Sequence, residues 1–329
     1  MRIGLLYFTK NGELIAKKLT VLCEFEFTVF NKQIQTAKKF VKEHFDLDAL
    51  IFIGATGIAV RLIGNNIKSK DVDPAVIVID EQAQFIIPIL SGHIGGANEL
   101  ADKLAKELGG TPVITTATDL NDVFAVDIWS KKSNCVIGNV QHIKYISSAL
   151  LRGDEVGFSS DFACSNELPK GIYDNTDATV GIMVSTSETK QPFNTTLNVI
   201  PKIITVGVGC KKNTNCKEFE DYLLTTLKEQ NISFKSIKRI TSIDLKKEET
   251  CIKLFCEKFK LRFCTYSASE LLSVEGEFTS SEFVKKTTGV DNICERSAMY
   301  KNDGELLLKK QSNHGITISI AKEKWRCKF

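Results

Sequence analysis

Ser91–Asp119 reads SGHIGGANELADKLAKELGGTPVITTATD, a glycine-rich turn, a helix and a strand in one run. Ser91-Gly92-His93-Ile94-Gly95-Gly96 is a glycine-rich turn carrying one histidine. Ala97, Leu100, Ala101, Leu104, Ala105 and Leu108 then recur at the spacing of one apolar helix face. Gly109-Gly110 stops that helix, with Pro112 just beyond. Val113-Ile114 reads as a short buried strand, and Thr115-Thr116-Ala117-Thr118-Asp119 follows its end. A loop at a helix N-terminus offers backbone N–H groups and the positive end of the helix dipole. Such a place favours an anion or a developing negative charge. Glycines let the backbone approach a ligand closely. The positive potential there is expected to keep His93 neutral, hence available as a base.

Working outward, the residues before Ser91 alternate strand and helix. Ile3–Phe8, Phe25–Phe30, Ala49–Ile53, Ala75–Ile79 and Phe85–Leu90 read as strands. Glu13–Leu19, Ile34–His44 and Ile58–Ile63 read as helices. Asp80-Glu81-Gln82-Ala83 joins the last two strands in a hairpin. Continuous apolar strands between helices predict a mostly parallel sheet flanked by helices. Ligands in such sheets bind beyond the carboxyl ends of the strands. Gly54-Ala55-Thr56-Gly57, Ser91–Gly96 and Thr115–Asp119 are therefore expected to floor one cleft, shared with the C-terminal domain. Arg61, just after the first of these turns, is placed to reach a carboxylate there.

The expected division is a 1–119 N-terminal α/β domain, an irregular 120–202 middle region with a linker, and a second α/β domain over 203–329. The middle region reads as a helix over Val140–Leu151, short strands near Glu155–Phe158 and Thr179–Val184, and a linker near Pro192–Pro201. His142 falls on that helix as a surface residue. The last domain opens with Ile203–Val208 and Gly209-Cys210-Lys211-Lys212-Asn213-Thr214, again strand, glycine turn and helix. Lys211 and Lys212 stand where an anion could dock. The turn has neither P-loop nor G-x-G-x-x-G spacing, which disfavours an ATP or nicotinamide enzyme. Downstream, Thr287–Ala298 reads TTGVDNICERSA. As a helix it sets Asp291 and Glu295 four apart, an unfavourable pair that Arg296 or a ligand would offset.

The chain has 329 residues, 43 basic and 40 acidic, for a net charge of +3, and no polybasic run. Nothing points to nucleic acid or a membrane surface. No apolar stretch could span a bilayer, and the N-terminus reads as a first strand and helix. A cytoplasmic enzyme is expected. The ten cysteines form no CxxC pair and no zinc-finger spacing, so they read as reduced thiols packed as small hydrophobes, with no metal site. Cys210, beside a glycine turn, is the exception worth following.

GATGIAVR, LSGHIGGANELA, PVITTATD, VGVGCKKNT and GVDNICERSA occur together and in order. In combination they resemble the cobalt-precorrin-5A hydrolases, the CbiG family of anaerobic cobalamin biosynthesis. The resemblance implies hydrolysis of a δ-lactone on a cobalt-corrinoid precursor, with C20 and its methyl leaving as acetaldehyde. It implies no cofactor, because the cobalt arrives inside the substrate. It leaves a homodimer open. Against that chemistry His93 is the best base, with Glu99 and Glu295 as the other candidates, and backbone N–H groups over Gly92–Ala97 would hold the oxyanion. Thr56, Gly57, Arg61, Ser91, Gly92, Gly95, Gly96, Thr115, Thr116, Lys211, Lys212, Asp291 and Arg296 would bind the substrate. A corrinoid binder without catalysis and an unrelated β/α enzyme of a phosphate ligand are the alternatives.

Overall fold

A computed structural model describes the chain except residues 32–33, 70–71, 94, 117–120 and 122, and the side chains of 34–35. Ile94 and the end of the TTATD turn, 117–119, thus lie outside the described residues. The chain divides into two compact units, Met1–Ile128 and Trp129–Phe329.

The first unit runs β1 (Arg2–Tyr7), α1 (Lys10–Leu22), β2 (Glu26–Phe30), α2 (Ile34–Glu43), β3 (Ala49–Ile53), α3 (Thr56–Ile63), β4 (Ala75–Ile79), β5 (Phe85–Leu90), α4 (Ala97–Leu108) and β6 (Thr111–Pro112). The sheet order is β2-β1-β3-β4-β5-β6. Its continuous apolar strands serve two faces. Ala49, Ile51 and Ile53 of β3 pack with Leu19 of α1 and Leu104 of α4, while Leu50 and Phe52 pack with Val41 of α2 and Leu62 of α3. Both faces bury apolar side chains, which favours this sheet.

Strands β1 to β4 are parallel, but β5 turns back antiparallel to β4, and β6 is parallel to β5. The hairpin at Asp80–Ala83 reverses the polarity. Ile79 pairs Ile86 and Val76 pairs Leu90, so the end of β5 lies beside the start of β4. The final strand lies two residues before the expected Val113-Ile114: Thr111–Pro112 is strand, and Val113-Ile114 follows half-buried, although the Val113 amide still donates to Ile86 O at 2.9 Å.

Helix α5 (Val126–Lys132) leads into the second unit. There β7 (Cys135–Ile137), α6 (Ile143–Arg152), β8 (Val156–Ser160), β9 (Ile172–Tyr173), β10 (Val180–Val184) and β11 (Thr195–Pro201) build a five-stranded sheet, β7-β11-β10-β8-β9. The middle region is therefore regular, and the expected linker is instead the strand β11, buried over six of its seven residues. Residues 325–329 return to this layer. The Trp129 indole donates to Lys328 O at 2.7 Å and stacks on Phe329 at 4.8 Å, and the Cys327 amide donates to Ala163 O.

The third layer comprises β12 (Ile204–Cys210), α7 (Cys216–Glu229), β13 (Ile237–Ile243), α8 (Thr250–Lys258), β14 (Arg262–Tyr266), α9 (Ala268–Leu272), α10 (Glu282–Thr288), α11 (Cys294–Met299), β15 (Glu305–Asn313) and β16 (Ile316–Lys322). Its order is β14-β13-β12-β16-β15. Helices α7 and α8 cover one face through Phe219, Leu223 and Phe255. On the other face α11 presses directly on β12: a Cβ at Gly207 would sit 1.8 Å from Cys294 O. Among the described residues no helix is long and apolar enough to cross a membrane.

Candidate active site

The reversal of β5 divides the expected cleft. Gly54–Gly57 follows the carboxyl end of β3, where the Gly54 amide donates to Ile79 O. Ser91 lies at the opposite end of β4, where its hydroxyl donates to Asp73 O at 3.1 Å. Strand β4 is five residues long, so about 13 Å of sheet separates the two turns at about 3.3 Å per step. Thr56, Gly57 and exposed Arg61 thus fall away from Ser91 and His93. The other two turns do meet. The Asn98 side chain, on the first turn of α4, donates to Thr116 Oγ1 at 3.1 Å. Thr115 is exposed beside it.

The glycine turn is crowded on itself. A Cβ at Gly95 would meet Ser91 Cβ at 2.3 Å, and Gly96 caps α4 with φ of 81°. Part of the expected oxyanion hole is already occupied. The Gly96 amide donates to His93 O, the Ala97 amide to Ser91 O and the Asn98 amide to Gly92 O. The Gly92 and Gly95 amides have no partner among the described residues, which leaves both able to serve as oxyanion donors. Glu99 is exposed on α4.

His93 has a partner that the sequence reading missed. Its Nδ1 stands 3.7 Å from Oδ2 of Asp127 on α5, and their side chains are 16% and 8% exposed. Burial would raise the Asp127 pKa, but its interaction with the nearby His93 ring, together with the Ile128 amide, holds it below the usual value. A carboxylate on Nδ1 fixes the tautomer that leaves Nε2 as the base. The separation exceeds a hydrogen bond, and such contacts tighten when substrate binds. The available signal was a lone carboxylate within the apolar run Phe124-Ala125-Val126-Asp127-Ile128-Trp129.

The second unit holds the remaining candidates. Lys211, Lys212, Lys246 and Lys310 line a cleft of about 520 Å³, with Phe283, Val284 and Ile293 as its apolar wall. Two of the four lysines were expected. Asp291 and Arg296 instead pair with each other. Arg296 Nε donates to Asp291 Oδ1 at 2.8 Å, its Nη1 donates to Leu271 O and Val274 O, and its plane covers Phe278. Arg296, with the cost of partial burial overcome, holds the Asp291 carboxyl below its usual range. The helix starts at Cys294, so Asp291 lies outside it, and the expected i, i+4 repulsion with Glu295 does not arise. Glu295 is fully buried. It accepts from the Thr279 amide and hydroxyl and from the Lys310 amide, at 2.9, 2.8 and 2.6 Å. Those contacts tie the chain before α10 to β15, which is a structural task. His142 likewise is half-buried and fastened to Thr196 O.

Cys210 sits in the cleft lining, its sulfur 3.8 Å from that of buried Cys251. The hydrogen bond between them, which outweighs burial, and nearby Lys246 lower the Cys210 pKa.

Three family models match in order: "Cobalamin synthesis G N-terminal" over residues 39–119, "Cobalamin biosynthesis central region" over 124–201 and "Cobalamin synthesis G C-terminus" over 204–321. The chain belongs to the cobalamin synthesis G (CbiG) family. A CbiG relative from Salmonella typhimurium, named cobalt-precorrin-5A hydrolase, is 33% identical over 83% of this chain and 81% of its own length. A relative of the same name from Priestia megaterium is 32% identical over 83% of this chain and 78% of its own. The models place the CbiG N-terminal segment over the glycine turn and the C-terminal segment over the basic cleft.

Proposed function

We propose that this protein is a hydrolase of cobalamin biosynthesis that opens the δ-lactone of a cobalt-corrinoid precursor and releases C20 as acetaldehyde. The observation that carries this reading is His93, held against buried Asp127 at the mouth of α4. Family membership and the names of the relatives support the substrate class.

In this reading His93 Nε2 takes a proton from water as the oxygen attacks the lactone carbonyl. The carbonyl pair moves onto oxygen, where the Gly92 and Gly95 amides would receive it. Collapse breaks the acyl–oxygen bond, and the departing C20 oxygen takes the proton back from His93, freeing the ring-A acetate and leaving a hydroxyl on C20. Loss of that hydroxyl proton lets the carbonyl of acetaldehyde form. The broken carbon–carbon bond then leaves its electron pair on the macrocycle, which takes up a proton. Cobalt stays within the substrate throughout, and the protein contributes no cofactor to the step.

Lys211, Lys212, Lys246 and Lys310 suit a ligand rich in carboxylates, and Phe283, Val284 and Ile293 suit a flat apolar macrocycle face. The test is turnover of the cobalt-corrinoid lactone, read by an aldehyde assay with absorbance titration for binding. Binding without aldehyde would favour a carrier, and neither would remove the reading.

A further inference from the structure

The sequence separates Cys210 and Cys251 by 41 positions, so no ligand spacing is legible there. The fold brings them together at the end of β12 and the first turn of α8, with Glu249 as the residue that caps α8. One ligand atom from each of the three lies within 4.8 Å of the others. We infer that Cys210, Cys251 and Glu249 bind a thiophilic divalent cation, of the zinc or cobalt(II) class, beside the basic cleft.

Three features of the cluster support this. Two thiolates at about 2.3 Å from a tetrahedral ion stand about 3.8 Å apart, which matches the observed sulfur separation of 3.8 Å. Glu249 already accepts from the Asn213 amide at 2.9 Å and from Lys246 Nζ at 2.9 Å. A carboxylate has lone pairs beyond those two, so it can ligate without losing the Asn213 bond. The charges also balance. Two thiolates and one carboxylate carry three negative charges, while a divalent ion and Lys246 carry three positive ones. Binding forms two metal–sulfur bonds and one metal–oxygen bond, and the two thiol protons leave to solvent. Because Cys210 also lines the cleft, the fourth position opens toward it, where a water or a substrate carboxylate completes the shell.

Protein reduced and stripped with a chelator is titrated with Co²⁺, followed by competition with Zn²⁺. The expected result is a thiolate-to-cobalt charge-transfer band saturating at one ion per chain and displaced by zinc. Cys210→Ser and Cys251→Ser should each abolish the band, and Glu249→Gln should weaken binding by about tenfold or more. Cys135→Ser, outside the cluster, should keep it. Serine replaces the thiol with little change of volume, and circular dichroism of each variant confirms folding. No saturable band in folded wild-type protein overturns the inference, as does a band that survives in Cys251→Ser. If mild oxidant instead joins Cys210 to Cys251 and no metal binds, the pair is a redox couple and the inference fails. None of these readouts uses turnover, so they stand or fall separately from the hydrolase reading.

Discussion

The two glycine turns of this chain read alike as sequence and differ in what the fold makes of them. Ser91–Gly96 and Gly209–Thr214 each join an apolar strand to a helix. In the first, Gly95 admits Ser91 and the loop folds onto itself, setting His93 against Asp127. In the second, Gly209 admits the Thr317 side chain from β16, and the turn lines a basic cleft. The first offers an acid–base pair, and the second offers positive charge and an apolar wall. A glycine turn therefore reports backbone crowding. The chemistry is set by which side chains the crowding brings close.

The sharpest way to break that contrast is at His93. His93→Ala should slow acetaldehyde release by about 10²–10⁴-fold with corrinoid binding retained, and His93→Asn should be nearly as slow. Asp127→Asn should lower kcat by about 10–100-fold at unchanged KM and move the acid limb of the pH–rate profile to lower pH. Activity of His93→Asn near wild type, measured by the aldehyde assay, would reduce the first turn to a structural one.

Glu295 tests whether the second region holds rather than reacts. Glu295→Ala leaves three donors without their acceptor and should cost about 3 kcal/mol. In a unit of this size that is a fall in Tm of roughly 6–12 °C. Glu295→Gln should fall less, with kcat near wild type in both once folded. A normal Tm with lost turnover would return Glu295 to the chemistry.

Lys310→Met keeps the side-chain stem and removes the charge. KM for the corrinoid should rise about tenfold with kcat unchanged, as for an interaction made equally in ground and transition states. An unaltered KM would mean that the carboxylates dock elsewhere.

The smallest effect concerns acid stability. Asp291 has a folded pKa below its ordinary value of 3.8 because of Arg296. Its contribution is therefore complete above that value and is lost as pH falls through the lower folded pKa. Asp291→Asn should cost about 1 kcal/mol near neutrality and leave a flatter acid limb in denaturation curves. Identical limbs would show that the pair is energetically neutral.

Much of the first unit was legible because its central strands are unbroken apolar runs. Ala49–Ile53, Ala75–Ile79 and Phe85–Leu90 fall where they read. The hairpin was legible too, but its consequence for the sheet is three-dimensional: one antiparallel strand moves the SGHIGG turn to the far end from GATG. β11 was hidden because polar residues occupy its interior. Asn198 is 3% and Thr196 1% exposed, each satisfied by hydrogen bonds that only the fold supplies. Asp127 and the Cys210–Cys251 pair escaped for a related reason, since partners distant in sequence leave no spacing to read.

The return of residues 325–329 to the middle layer has a consequence for how the chain is made. Trp129 finds its acceptor at a separation of 199 residues, and Asn166 exchanges bonds with Phe329 across 163. Closing such loops is slow, and it waits on synthesis. On the ribosome the first unit can complete itself as it emerges, at about 5–20 residues per second. The middle layer cannot. Its five strands are all made by residue 201, but the docking place of Phe329 stays open until the layer after it has been translated. Throughout that interval the uncovered surface is open to misassembly.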